Sequence, residues 1–147
     1  MALRGTAAAL ALAIGVAAAW AAVQPLRSAN ATDAAYERLE LGQREAAVEI
    51  ARIAVDRNPL SVDPLFDLSA ILTETGDAKE GERVLERAAE LQPANSETWR
   101  RLGEHRALAL DEPRAALAPL RAAYYLDPRS REIETAFVLL QRQLAAP

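Results

Sequence analysis

Pro59, Pro93 and Pro128 stand 34 and 35 residues apart, and each closes a run of small and apolar residues. A period of this length is one supersecondary unit repeated. A single unit cannot bury its own apolar face, so units stack, and about three are needed for stability. The register holds in other columns. Ala54, Ala88 and Ala123 are spaced 34 and 35, as are Ala47, Gly81 and Ala116, and Gly42, Gly76 and Asp111. Ala34, Leu68 and Leu102 are spaced 34 and 34, as are Ala31, Leu65 and Trp99. The one-residue excess therefore lies between Gly103 and Asp111.

Each period reads as two antiparallel helices. In the second, Leu65, Leu68 and Leu72 recur at helical spacing up to Gly76, which suits the left-handed end of a helix. Asp77 caps the next helix, with Glu80 completing a capping box. Val84, Leu85, Ala88 and Leu91 then run to Pro93. The third period opens at Asn95 or Ser96, shows Trp99, Leu102 and Gly103, and continues from Asp111 as a cap with Pro113 in the first turn. Its second helix carries Ala116, Leu117, Leu120, Ala123 and Tyr124, with Pro119 expected to kink it or weaken a turn. The first period has Ala31, Ala34 and Ala35 where the others are larger, then Ala47, Ile50, Ala51 and Ala54 before Pro59. A last helix over 131–144 lines Ile133, Ala136, Phe137, Leu140 and Leu144 on one face, as the terminal cap of a solenoid does. Val138 and Leu139 fall outside that pattern. The alternative for this helix is an interface with a second copy; the cap reading makes the chain a monomer.

These columns resemble the tetratricopeptide repeat (TPR) family, whose pattern runs Trp-x-x-Leu-Gly-x-x-Tyr, then Ala, a bulky apolar residue, Ala and Pro. Trp99, Leu102 and Gly103 match it, with Arg106 in place of the Tyr; Ala116, Leu120, Ala123 and Pro128 complete the third repeat. Leu65, Leu68, Ser69, Leu72, Gly81, Leu85, Ala88 and Pro93 supply the second. The resemblance implies an all-α, right-handed α-solenoid of about three helix-turn-helix repeats (28–61, 62–95 and 96–130) with a capping helix and tail over 131–147.

Gly5 to Leu26 carries no charge, between Arg4 and Arg27, and its core is dominated by alanine. Two readings stay open for residues 1–23. Arg4, the stretch 10–16 and Ala17-Ala18-Ala19 have the form of a secretory signal peptide. The length also fits a membrane-anchoring helix, with Trp20 at the interface. Either way Pro25 is expected to end this helix, residues 24–29 to be a linker, and the repeats to lie outside the cytoplasm, at the cell envelope, anchored or secreted. An apolar helix leading through Gln24-Pro25-Leu26-Arg27 into such repeats also resembles the tail of O-antigen ligase-like membrane proteins, which implies a fragment or accessory of a polysaccharide-assembly protein without its catalysis.

The chain lacks cysteine and has a net charge of −4, so thiol chemistry is excluded and no basic stripe is present for nucleic acid. His105, the lone histidine, has no nucleophile in recognisable order, and neither a phosphate loop nor metal-ligand spacing occurs. No catalytic residue, cofactor or metal is assigned. The TPR resemblance instead implies a groove lined by the first helix of each pair, for a protein or peptide partner. Its positions are Tyr36, with Thr32 and Asp33; Asp63, Phe66 and Asp67, with Glu74; and Glu97, Arg100, Arg101 and Glu104. Tyr36 and Phe66 are the candidate aromatic anchors, the alternative for Phe66 being a shield over the neighbouring helix. One branch of the family holds carboxylate termini of chaperones with a Lys/Asn/Arg clamp. Here Thr32, Tyr36 and Asp67 replace its Lys and Asn and only Arg101 matches, so a chaperone adaptor is disfavoured. The groove reads as acidic at one end and basic at the other, which suits a partner with basic and apolar groups.

Overall fold

The computed structural model describes the backbone from Ala2 to Ala145, and side chains over 23–145 together with Gly15 and Trp20. Among the described residues there are seven helices and no strand: α1 (Ala2–Glu40), α2 (Arg44–Arg57), α3 (Asp63–Thr75), α4 (Ala78–Leu91), α5 (Ser96–Leu108), α6 (Pro113–Leu126) and α7 (Arg131–Ala145). Each helix packs on the next. α1 also touches α3, and α5 touches α7, so the odd-numbered helices share one face of the stack.

The sequence period reappears in the backbone torsions. Asn58, Gln92 and Asp127, the residues before the three prolines, end their helices at φ/ψ of −136/65°, −132/70° and −140/81°. Proline's ring crowds the preceding residue out of the α-helical region, so each X-Pro pair stops a helix at the same place. Gly42, Gly76 and Asp111 form the second punctuation column, all at positive φ (73°, 100° and 54°). Asp111 therefore occupies the left-handed turn position, and the cap expected of it falls to Glu112, which makes no side-chain capping bond. The extra residue of the third repeat is taken up here. The turns after α1 and α3 close by Gln43 N–H to Arg38 O and Asp77 N–H to Leu72 O, whereas the turn after α5 closes one residue wider, by Glu112 N–H to Arg106 O.

Asp77 does cap α4, accepting from Glu80 N–H, but the box is only half formed. The Asp77 N–H is already given to Leu72 O, and Glu80 turns to pair with Arg83. Asn95 caps α5 by accepting from Glu97 N–H. Pro119 lies buried inside α6, which continues through it.

Two apolar cores hold the stack. The larger runs from Ala35 through Ala47, Ala51, Leu65, Ile71, Leu72, Leu85 and Ala88 to Leu102, joined by Trp99, whose indole N–H donates to Pro93 O at 2.8 Å. The second joins Ala116 and Leu120 to Leu140, with Ala136, Phe137 and Leu144 at its edge. Phe137 of the expected α7 face stacks on Tyr124 at 5.7 Å, and Ile133 of that face is buried.

Two expectations at the amino-terminal side need correction. Pro25 does not end the first helix, and residues 24–29 are not a linker: α1 continues through both. A proline removes one helical hydrogen bond and crowds the turn before it. On its carboxyl side, however, Ser28, Ala31 and Ala35 are buried. Ser28 Oγ donates to Ala54 O at 2.8 Å and Arg57 donates to Arg27 O at 3.0 Å. Tertiary contacts hold the helix where local preference ends it. The signal-peptide or anchor expectation for residues 1–23 rests on side chains that lie, but for Gly15, Trp20 and Val23, outside the described residues. Among the described residues no helix is long and apolar enough to cross a membrane.

Candidate functional site

α1, α3, α5 and α7 lie side by side and leave three successive hollows between them. The first, about 240 Å3, lies between α1 and α3 and is lined by Thr32, Asp33, Asp63 and Asp67 with Pro25 and Pro64. The second, about 350 Å3, lies between α3 and α5, with Phe66, Thr73, Glu74, Arg101, Glu104 and Leu108 on its walls. The third, about 500 Å3, lies between α5 and α7; Ala107, Leu108, Ala136, Leu139 and Leu140 make it apolar, and Glu104 stands at its edge. Glu104 and Leu108 border both the second and third, so the two adjoin.

The expected groove residues come together in two clusters. In the first, Tyr36 reaches from α1 to α3, its hydroxyl donating to Asp67 Oδ1 at 3.1 Å. Burial, then the charge and hydrogen bond of Asp67, push the Tyr36 phenol up to about 12. Burial also raises Asp67 above the usual aspartate value. The Tyr36 hydrogen bond and Arg101 oppose that rise, while Asp63 and Asp33 add to it. Asp63 is exposed at the start of α3 and accepts from Ser61 Oγ at 3.0 Å.

In the second cluster Arg100 is clamped along α5, by Glu97 at 2.6 Å and Glu104 at 2.5 Å. Arg101 also pairs with Glu97, at 2.6 Å, and its guanidinium carbon lies 4.5 Å above the Phe66 ring. Burial pushes the Glu97 carboxyl up, but hydrogen bonds from Arg100 and Arg101 outweigh it and hold the group below the usual range. The hydrogen bond to Glu97 leads in raising Arg100.

This arrangement changes two expectations. Phe66 is only 7% exposed beneath Arg101, so it shields the core and offers no open ring to a partner. The Arg pair is not a basic end of the groove, because both guanidinium groups are committed to glutamates of their own helix. Arg101, the sole match to a carboxylate clamp, is engaged as well. Sequence reading missed the third hollow. Its one sequence signal was Leu139, which falls outside the α7 pattern; in the structure Leu108 is 83% and Leu139 58% exposed.

His105 has a structural part. Its Nε2 lies 2.8 Å from Ala78 O at the start of α4, and its ring covers Gly81. No group of acidic and histidine side chains suited to a metal ion occurs among the described residues.

No family model and no curated protein matches the chain. Solved structures do match. The first TPR of Spaghetti (RPAP3), bound to the HSP90 peptide SRMEEVD, is 15% identical, with 81% of this chain and 94% of that one covered and a TM-score of 0.64. The TPR2B domain of yeast Sti1, in its complex with pHsp70, is 20% identical, with 80% and 98% covered and a TM-score of 0.64. A thermophilic TPR protein of Thermus thermophilus is 24% identical, with 76% and 62% covered and a TM-score of 0.61. The likeness is one of fold, and the fold is an all-α TPR solenoid.

Proposed function

We propose that this TPR-fold chain is a non-enzymatic interaction scaffold that holds a segment of a partner protein along the face shared by α1, α3, α5 and α7. The row of three hollows on that face carries the reading, since such stacks present extended concave binding surfaces. TPR domains of the same fold, one bound to an HSP90 peptide and one in a complex with pHsp70, support it. The test is a pull-down with the full chain as bait, comparing the parent with Tyr36→Ala and Leu108→Ser. The partner is expected to be lost from both variants at unchanged helical circular dichroism. Retention in both moves the binding surface off this face.

The chain acts at the cell envelope, outside the cytoplasm, and the charge-free stretch from Gly5 to Leu26 supports that placement. Amino-terminal sequencing of native protein tests it: a start at Met1 rules out cleavage, and a start after the alanine run rules out an anchor. A second reading, the tail or an accessory of an O-antigen ligase-like polysaccharide-assembly protein, is favoured by one observation. α1 runs without interruption from the apolar segment into the first repeat. A native product well above 15.9 kDa favours this reading; one of that mass sinks the tail version.

A further inference from the structure

Building on the groove reading above, we propose that the segment held is cationic toward one end and apolar toward the other. Its arginine or lysine groups face the α1/α3 hollow, and its apolar side chains fill the α5/α7 hollow.

Charge complementarity selects this occupant. Asp33, Asp63 and Asp67 converge on the first hollow, and none of them forms an ion pair with a described side chain. Tyr36, the group bonded to Asp67, is uncharged. Gathering three like charges around one hollow, with Asp67 partly buried, carries a free-energy cost, and an entering cation reduces it while an entering carboxylate adds to it. At the other cluster Arg100 and Arg101 are already matched by Glu97 and Glu104, so neither offsets the acidic end. In the peptide SRMEEVD bound by the Spaghetti domain, three of the last four residues are acidic. The groove here is of the opposite charge preference.

The apolar half rests on a different observation. Leu108 and Leu139 are exposed large side chains on facing helices, and they border a hollow of about 500 Å3. That is within the range of sites that take small apolar groups. Polar groups at its edge, Glu104, Arg131 and Glu132, leave it without strong charge of one sign. The second hollow lies between the other two along this face and shares Glu104 and Leu108 with the third, so an extended segment laid across the face meets both the carboxylates and the leucines.

The experiment uses the full chain and fluorescein-labelled synthetic peptides, read by anisotropy. The probe has three arginines and three leucines joined by a glycine-serine spacer. Matched controls replace the arginines with glutamates, or the leucines with serines. The Arg/Leu peptide is expected to bind, and both controls to bind at least about tenfold more weakly. Asp63→Asn with Asp33→Asn, and separately Leu139→Glu, are each expected to weaken it about tenfold, as is a rise in salt for the charged half. Asp33, Asp63 and Leu139 are exposed, so these variants keep the fold, and their circular dichroism verifies it. A Glu/Leu peptide that binds equally well, at a surface lost in Tyr36→Ala, overturns the charge assignment while the groove reading stands. An Arg/Leu peptide indifferent to Leu139→Glu overturns the apolar half. A dimer in sedimentation that Leu139→Glu dissolves assigns the third hollow to a second copy and overturns the proposal. If no peptide binds and the pull-down partner ignores Tyr36→Ala, the groove reading falls with it.

Discussion

Gly103 of α5 lies directly against Leu120 of α6: a Cβ placed on Gly103 would come 2.5 Å from Leu120 Cγ and 2.9 Å from its Cδ2. The close approach of the two helices depends on there being no side chain at 103. Gly103→Ala forces Leu120 out of its place in the second core, at a cost of about 1–3 kcal/mol. Alanine's better helix propensity returns about 1 kcal/mol of that. A net loss of up to about 2 kcal/mol is expected in urea denaturation. Gly81→Ala, whose nearest neighbours stand at 3.1 Å, is expected to lose less.

Gly76 and Asp111 share a column and predict effects of opposite sign. Gly76 has φ 100°, so Gly76→Ala costs about 1–2 kcal/mol through backbone strain. Asp111 holds φ 54° with a side chain, so Asp111→Gly relieves strain. The greater freedom of glycine in the unfolded chain offsets part of that gain. Thermal melts are expected to show a fall for the first and no fall, or a rise, for the second.

Arg106 replaces the tyrosine of the TPR pattern with an ionic tie from α5 to α4, donating to Glu82 at 2.7 Å and Glu86 at 2.6 Å. Lys79 extends the network to Glu82 and Glu112. Arg106→Ala is expected to cost about 1–2 kcal/mol, because Glu82 is largely covered and loses its main partner. A double-mutant cycle with Glu82→Gln checks it, with a coupling of about 0.5–2 kcal/mol expected.

Acid acts on the stability of the fold from two directions. For Glu97 and Glu82 burial raises the carboxyl, but hydrogen bonds from arginines, and for Glu82 from Lys79, prevail and leave both below the ordinary 4.5. As pH falls the unfolded chain takes up these protons first, so the stability they contribute is present above 4.5 and lost as pH drops through the lowered values. Asp67 is raised above 3.8, chiefly by burial. Its contribution is complete below 3.8 and lost as pH rises through the raised value. Stability measured against pH is expected to show a shallower acid limb for Glu97→Gln. For Asp67→Asn, stability relative to the parent is expected to increase as pH rises through that window.

Much of the fold was legible in the chain because its punctuation is local. Proline restricts the torsions of the residue before it whatever surrounds the pair, and Pro59, Pro93 and Pro128 stop three helices at one conformation. The Gly42, Gly76 and Asp111 column did the same for the turns, and even located the widened third turn. Asp111 was misread only in role, since aspartate serves both as a cap and as a left-handed residue. For the odd-helix face the chain offered a set of candidate positions but not the charge distribution among them. Whether Arg100 and Arg101 face a partner or their own glutamates depends on rotamers that the sequence does not encode by spacing alone.

The sequence by itself determined the helix pairs and their period, because these follow from torsional limits and from apolar periodicity; the solenoid and the face of the odd helices were what the resemblance of those columns to the TPR family implied. Only the tertiary structure decided that α1 continues through Pro25, that Phe66 is covered by Arg101, and that Leu108 and Leu139 border one open hollow. Each of these is settled by contacts between residues distant in the chain, where packing overrides what the local sequence prefers.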